Sequence, residues 1–145
     1  MALHSTGSGK SRADVAEKDI TCYKIVYPAD RRGKFLAYVR PFRYEIGKEY
    51  TEKMFYRESD SCFIYKGFHS FSTQKAAKFY FLKFHFFGKA VMIKCVIPKG
   101  AYYFTGCGDT PNQYCSDKIK VVAWKPVWDW KWREKPENKT RKKRK

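Results

Sequence analysis

Short strand-like apolar runs separated by turn residues recur along this chain, and give way to a three-to-four spacing in one central stretch. Residues 20–27 (ITCYKIVY) are rich in β-branched and aromatic side chains and end at Pro28, which cannot donate to a ladder. Residues 30–33 (DRRG) form a turn and 34–40 (KFLAYVR) a second strand, so the pair predicts a hairpin with a longer loop. Pro41 interrupts it. Gly47, between the aromatic flanks of 42–50, marks a turn or a bulge. Residues 51–61 are polar and mixed, a loop or a short helix, and 62–68 (CFIYKGF) read as a strand.

The spacing then changes. Residues 73–87 contain two alanines and no proline, and Ala76, Phe79, Tyr80 and Phe84 fall on one face with Lys75 and Lys78 elsewhere. Ser72 offers an N-cap hydroxyl and Gly88 a left-handed cap. Lys83 and His85 suit the negative end of the helix dipole. A strand-like run returns in 90–97 (AVMIKCVI), where Val91, Ile93, Cys95 and Ile97 share a face. Pro98-Lys99-Gly100 turns into 101–105, and a Gly/Asp/Pro/Asn loop fills 106–113. Residues 118–124 (KIKVVAW) set Ile119, Val121 and Ala123 against Lys118 and Lys120, a half-buried strand. After Pro126, an extended 127–133 would put Trp128, Trp130 and Trp132 on one side, closing the sheet as an edge strand or standing as an exposed platform.

Strands, one helix and more strands predict an α+β domain: a mainly antiparallel sheet of about five to six strands packed on one principal helix, about 73–87. Residues 1–19, Ser/Gly/Lys-rich and aperiodic, read as a flexible leader, 20–133 as a single domain and 134–145 as a disordered basic tail. There is no internal repeat.

Composition sharpens this picture in one respect. Of 145 residues 43% are apolar and 19% aromatic, which excludes wholesale disorder and predicts a ring-rich core. The net charge is +17. Residues 1–19 are neutral and 129–145 carry +6, leaving +11 on 20–128, so the folded part is itself cationic. Such a field draws polyanions (nucleic acid, anionic lipid, acidic proteins), although general solubility alone also accounts for it.

Five cysteines without CxxC spacing argue against a disulfide framework. Cys22 and Cys95 sit in apolar strand-like runs as small hydrophobes, while Cys107 and Cys115 flank a short loop across which they could pair. With no apolar leader and no run long enough for a membrane helix, a reducing, cytoplasmic compartment and a monomer are the expectation.

Candidate chemistry is sparse. Gly7-Ser8-Gly9-Lys10-Ser11 mimics a phosphate loop, but position 4 is His4 where the motif needs glycine, and no strand fits before it. His69 and His85 have only Cys62 as a local third metal ligand, so neither a metal nor a cofactor is expected. A thiol–histidine pair of Cys62 or Cys115 with His69 lacks any sign that its members meet. Residues 67–73 end a strand and open the helix, gathering His69, Ser70, Ser72 and Thr73 at the positive end of its dipole, where an anion would bind; ordinary capping explains the same residues. Trp128, Trp130 and Trp132, interleaved with Lys131 and Arg133, would stack bases while the cations hold phosphates. The closing KTRKKRK adds affinity without specificity.

Tyr44-Glu45-Ile46-Gly47-Lys48, Gly67-Phe68-His69-Ser70-Phe71 with Ala76 and Ala77, and Cys95-Val96-Ile97-Pro98-Lys99-Gly100 with Tyr102 resemble small uncharacterised domains of phages and gut Bacteroidetes-type bacteria. Residues 67–77 are also similar to the ADP-ribosyltransferase-like fold, where a glycine-aromatic-x-Ser/Thr strand leads into an alanine-bearing helix. That second resemblance implies a late glutamate, for which this chain offers only Asp117. Three readings follow: a non-catalytic module binding an acidic partner such as nucleic acid; an ADP-ribosyltransferase-like or other enzyme acting on an anionic substrate near 67–73; or a structural or accessory protein of a phage or mobile element.

Overall fold

The computed structural model describes residues 3–4, 13–28, 34–37, 43–53, 55–56, 63–82, 89–106 and 112–135. In chain order the first strands are β1 (Leu3–His4), β2 (Asp14–Val15), β3 (Ile20–Pro28), β4 (Lys34–Ala37) and β5 (Arg43–Glu45). They are followed by β6 (Glu49–Thr51), β7 (Phe55–Tyr56), β8 (Phe63–Lys66) and β9 (Phe68–Phe71). Helix α1 (Gln74–Leu82) precedes β10 (Val91–Ile97), β11 (Tyr102–Thr105), β12 (Gln113–Ser116) and β13 (Lys118–Pro126).

The α+β expectation is overturned: the fold is β-rich. Ten strands join one antiparallel sheet in the order β2-β11-β12-β9-β3-β10-β13-β6, with β4 and β5 branching from β3. A separate three-stranded sheet runs β1-β8-β7. The helix expected over 73–87 is described as the nine residues of α1, and 83–88, with Lys83, Phe84, His85 and Gly88, lie outside the described residues. Strands such as β2, β6 and β12 are short and largely polar, and their conformation is fixed by long-range pairing rather than by local pattern.

Two faces of the central strands carry two cores. Along β3, Cys22 and Val26 point one way and Ile25 the other; along β10, Ile93, Cys95 and Ile97 oppose Met92. The larger core joins these to Tyr44, Phe68, Ile119 and Val121 and contains no helix residue. The smaller one seats α1 through Ala77 and Phe81, with Tyr80 tilted against Phe71 at 5.3 Å. Phe79, expected to face inward, is 67% exposed; the buried stripe is Ala77 and Phe81, one turn apart, beside Ala76 and Tyr80.

Register decides what reaches each face. In β10–β13 the pairing passes from Lys94↔Ala123 to Cys95↔Val121, so Val122 is an extra residue and β13 carries a bulge. Ile119 and Val121 face the larger core as expected, but beyond the bulge Trp124 takes that face. Lys125, opposite Met92, is thereby turned toward the helix side. Glycines mark the turns: Gly47 (φ 85°) lies in the β5–β6 turn, where Lys48 N donates to Glu45 O at 3.2 Å, and Gly100 (φ 90°) in the β10–β11 turn.

The ordered sheet begins before residue 20. Asp14–Val15 pair with β11, Ala16 is buried, and its amide donates to Ala101 O at 2.8 Å. Asp19 Oδ1 accepts from Lys99 N at 2.9 Å, tying the same stretch to the β10–β11 turn.

Candidate polyanion interface

Pro126 ends the β13 ladder because it has no amide hydrogen to give. Asp129 N donates to Pro126 O at 3.1 Å, reversing the chain, and Val127 is buried as the anchor of the turn. The returning strand is held by an antiparallel bridge: Trp124 N donates to Arg133 O at 2.9 Å and Arg133 N to Trp124 O at 2.8 Å. Residues 127–133 therefore fold back as a turn and return, not as the extended edge strand expected, and the three indoles are unequally exposed.

The indoles part company accordingly. Trp128 and Trp130 project to solvent at 70% and 87% exposure. Trp132 is half-buried, its ring stacked on Tyr23 at 5.9 Å and 28°. Two ammonium groups lie over it, Lys94 Nζ at 4.7 Å and Lys125 Nζ at 5.1 Å. The floor of this cluster is set by register, since Tyr23↔Lys94 and Lys94↔Ala123 are successive rungs on the helix-facing side. Lys78 of α1 sits over Trp128 at 5.1 Å, and the Arg133 guanidinium over Trp124 at 4.9 Å. Each such contact contributes about 0.5–1 kcal/mol when exposed. Lys131 is exposed beside them. Arg133 also meets Asp129 at 3.2 Å, an exposed i,i+4 pair of little energetic weight.

Lys125 is the unusual cation of the group. It is 2% exposed, and its ammonium donates to the Asp129 carbonyl. Burial, then the nearby Lys78 charge, depress its pKa below 10.5, while Asp129 opposes them. The unfolded chain thus keeps this proton to higher pH than the folded one, and the group's cost to stability is relieved as pH rises toward 10.5. Burial raises Tyr50, Tyr80 and Tyr114 above 10.0, which works in the opposite sense from that pH upward. Lys125→Met is therefore expected to flatten the rise in stability just below pH 10.5 relative to wild type, measured by urea unfolding across alkaline pH. A parallel pH profile in the variant would refute the assignment.

The expected anion pocket at 67–73 is distributed differently. Gly67 (φ 135°) precedes β9, and His69 and Ser70 lie within that strand, 8% and 0% exposed, with His69 opposite Cys115 of β12. Thr73, not Ser72, caps the helix: its Oγ1 accepts from Ala76 N at 3.0 Å. Ser72 N instead donates to Asn112 O at 2.8 Å. The hydroxyls of Ser70 and Thr73 are thus consigned to a strand interior and to a cap, and the buried His69 ring does not stand at an open turn. A cavity of about 590 Å³ lies on another edge, lined by Asp14, Glu17, Lys18, Ile20 and Tyr103.

Of the residues expected from sequence, Trp128 and Trp132 lie under cations other than Lys131 and Arg133, Arg133 lies over Trp124, Trp130 and Lys131 stand exposed, and His69, Ser70, Ser72 and Thr73 belong to β9 and the start of α1. Lys78, Lys94, Lys125 and Tyr23 were missed. Lys94 carried a signal, being a charge within an apolar strand; Lys125 needed the bulge. Cys115 is buried and not in a disulfide, and Cys107 and Cys62 lie outside the described residues. Among the described residues no group of three His, Cys, Asp or Glu is placed to hold a metal, and no helix is long and apolar enough to cross a membrane. No protein-family model, curated protein or solved structure matches the chain.

Proposed function

We propose that this protein is a non-catalytic module that binds an acidic partner, single-stranded nucleic acid, through the fold-back at residues 124–133 and the adjoining lysines. The observation that supports it is the exposure of two indoles, Trp128 and Trp130, on a segment that also carries the exposed cations Lys131 and Arg133, with Lys78 over the Trp128 ring. Large exposed rings on a monomer mark a contact surface, because leaving them in water forfeits their burial energy. A net charge of +17 makes the partner anionic. An unpaired base supplies a π-face for each indole and a phosphate for each cation, which a duplex with its bases stacked inside does not.

Titrating the protein with a fluorescently labelled oligothymidine tests this. With three to four phosphates neutralised, affinity is expected to fall roughly 20- to 50-fold between about 50 and 200 mM salt, with quenching of indole fluorescence on binding. Absence of binding at low salt, or binding indifferent to salt, defeats the proposal. Phe79 and Leu82 on α1, 67% and 50% exposed, favour a second reading in which the partner is another protein, as for an accessory component of a phage or mobile element. Salt-resistant association with such a partner would select that reading.

A further inference from the structure

The larger core holds a polar cluster at its centre. Cys22 of β3 and Cys95 of β10 are direct cross-strand partners, both 0% exposed and both thiols. Opposed residues of an antiparallel pair have Cα atoms about 4.5–5.5 Å apart, inside the range a disulfide spans. Two residues along β3, Lys24 points to the same face, where its ammonium donates to the His69 carbonyl and lies 5.6 Å from the Tyr44 ring. Ser70 Oγ, fully buried, meets no acceptor of ordinary geometry and leans on the Cys22 sulfur.

We propose that Cys22 and Cys95 are a dithiol pair that a hydroperoxide oxidises to a cross-strand disulfide joining β3 to β10. Burial alone would raise the Cys22 thiol, but the Cys95 thiol and Ser70 hydroxyl beside it and the charge on Lys24 outweigh it and hold it below the ordinary 9.0. Burial and its neighbour Cys22 push Cys95 well above 9.0, so of the two thiols Cys22 gives up its proton first. The Cys22 thiolate attacks the peroxide, the O–O bond breaks, and Cys22 becomes a sulfenic acid as the leaving oxygen departs to be protonated as an alcohol or water. Cys95 sulfur then attacks the sulfenic sulfur; the S–S bond forms, and the displaced hydroxide takes the Cys95 proton and leaves as water. Two thiols and one hydroperoxide thus give one disulfide, one alcohol (or water) and one water.

Access runs through a short seam of the sheet. β9, which carries Ser70, is registered with β3 through a single rung, Tyr23↔Phe71, so local opening there uncovers Cys22 without dismantling β10. The product would tie the strand that carries Tyr23 to the strand that carries Lys94, the rung beneath Trp132.

The test is exposure of the folded full-length protein to hydrogen peroxide, followed by thiol alkylation and peptide mapping. The expected result is a Cys22–Cys95 linked peptide, loss of both alkylation sites, and recovery of both with dithiothreitol. In Cys95→Ser, Cys22 is expected instead to accumulate as a sulfenic acid captured by dimedone; should that variant fail to fold, the wild-type map decides alone. Linkage among other cysteines while Cys22 and Cys95 stay alkylatable, or linkage of this pair only in denaturant, overturns the proposal.

Discussion

Phe68→Ala is expected to cost about 3–5 kcal/mol of stability, and to lower the melting midpoint by roughly 10 °C or more. Phe68 is 0% exposed in β9 and reaches into the larger core, its ring 6.4 Å from Tyr44 at 60°; Tyr44 in turn stands edge-on to Tyr50 at 5.5 Å. Strands surround the cavity such a truncation leaves, and each is pinned by a ladder, so the site has little freedom to collapse. Phe81→Ala makes the informative comparison. Its ring is equally buried, but against Tyr27 in the smaller core and on a helix that can settle inward. Its cost should therefore fall at or below the low end of the same range, about 3 kcal/mol. Urea unfolding of the two variants side by side measures the difference. If Phe81→Ala were the more damaging, the helix would be the principal support of the fold, as the α+β expectation held, and the β-rich core assignment would be wrong.

That expectation failed for a reason visible in particular residues. β3 was legible from its run of β-branched and aromatic residues, and β10 from Val91, Ile93, Cys95 and Ile97 at alternate positions. Pro98-Lys99-Gly100 and Gly47 were legible because turns need those residue types. β12, reading QYCS, carries no alternation; it is a strand because Gln113–Ser116 find β9 on one side and β11 on the other. The exposed Phe79 was assigned inward since aromatic spacing on a helix looks apolar whichever way it faces. Of the candidate site, the aromatic and basic residues of 128–133 were legible from composition alone, but their arrangement was not. The bulge at Val122 and the turn at Asp129 are set by pairing that local pattern does not carry, β13 finding its register on β10 some thirty residues earlier in the chain. They decide which indole is exposed and which lysine is buried.

Removing both exposed rings, Trp128→Ala with Trp130→Ala, is expected to weaken oligothymidine binding by one to two orders of magnitude with its salt slope unchanged. The size follows from stacking, about 1–3 kcal/mol per base by alanine substitution, taken at the low end for a surface site. The unchanged slope follows from leaving every cation in place. At 70% and 87% exposure these rings contribute little packing beyond the Lys78 contact, so the double variant should unfold within a few degrees of the wild-type midpoint. Lys131→Gln with Arg133→Gln should do the converse, reducing the slope by about 0.7 for each phosphate left without its cation. Trp132→Ala separates structure from recognition: its ring covers Tyr23 between two ammonium groups, so it should lower stability as well as affinity. Anisotropy titrations over a salt series, with an unfolding curve for each variant, resolve the three cases. A double indole variant that binds as wild type does would reduce the surface to an electrostatic one, because cations alone hold a phosphate chain without reading whether its bases are free.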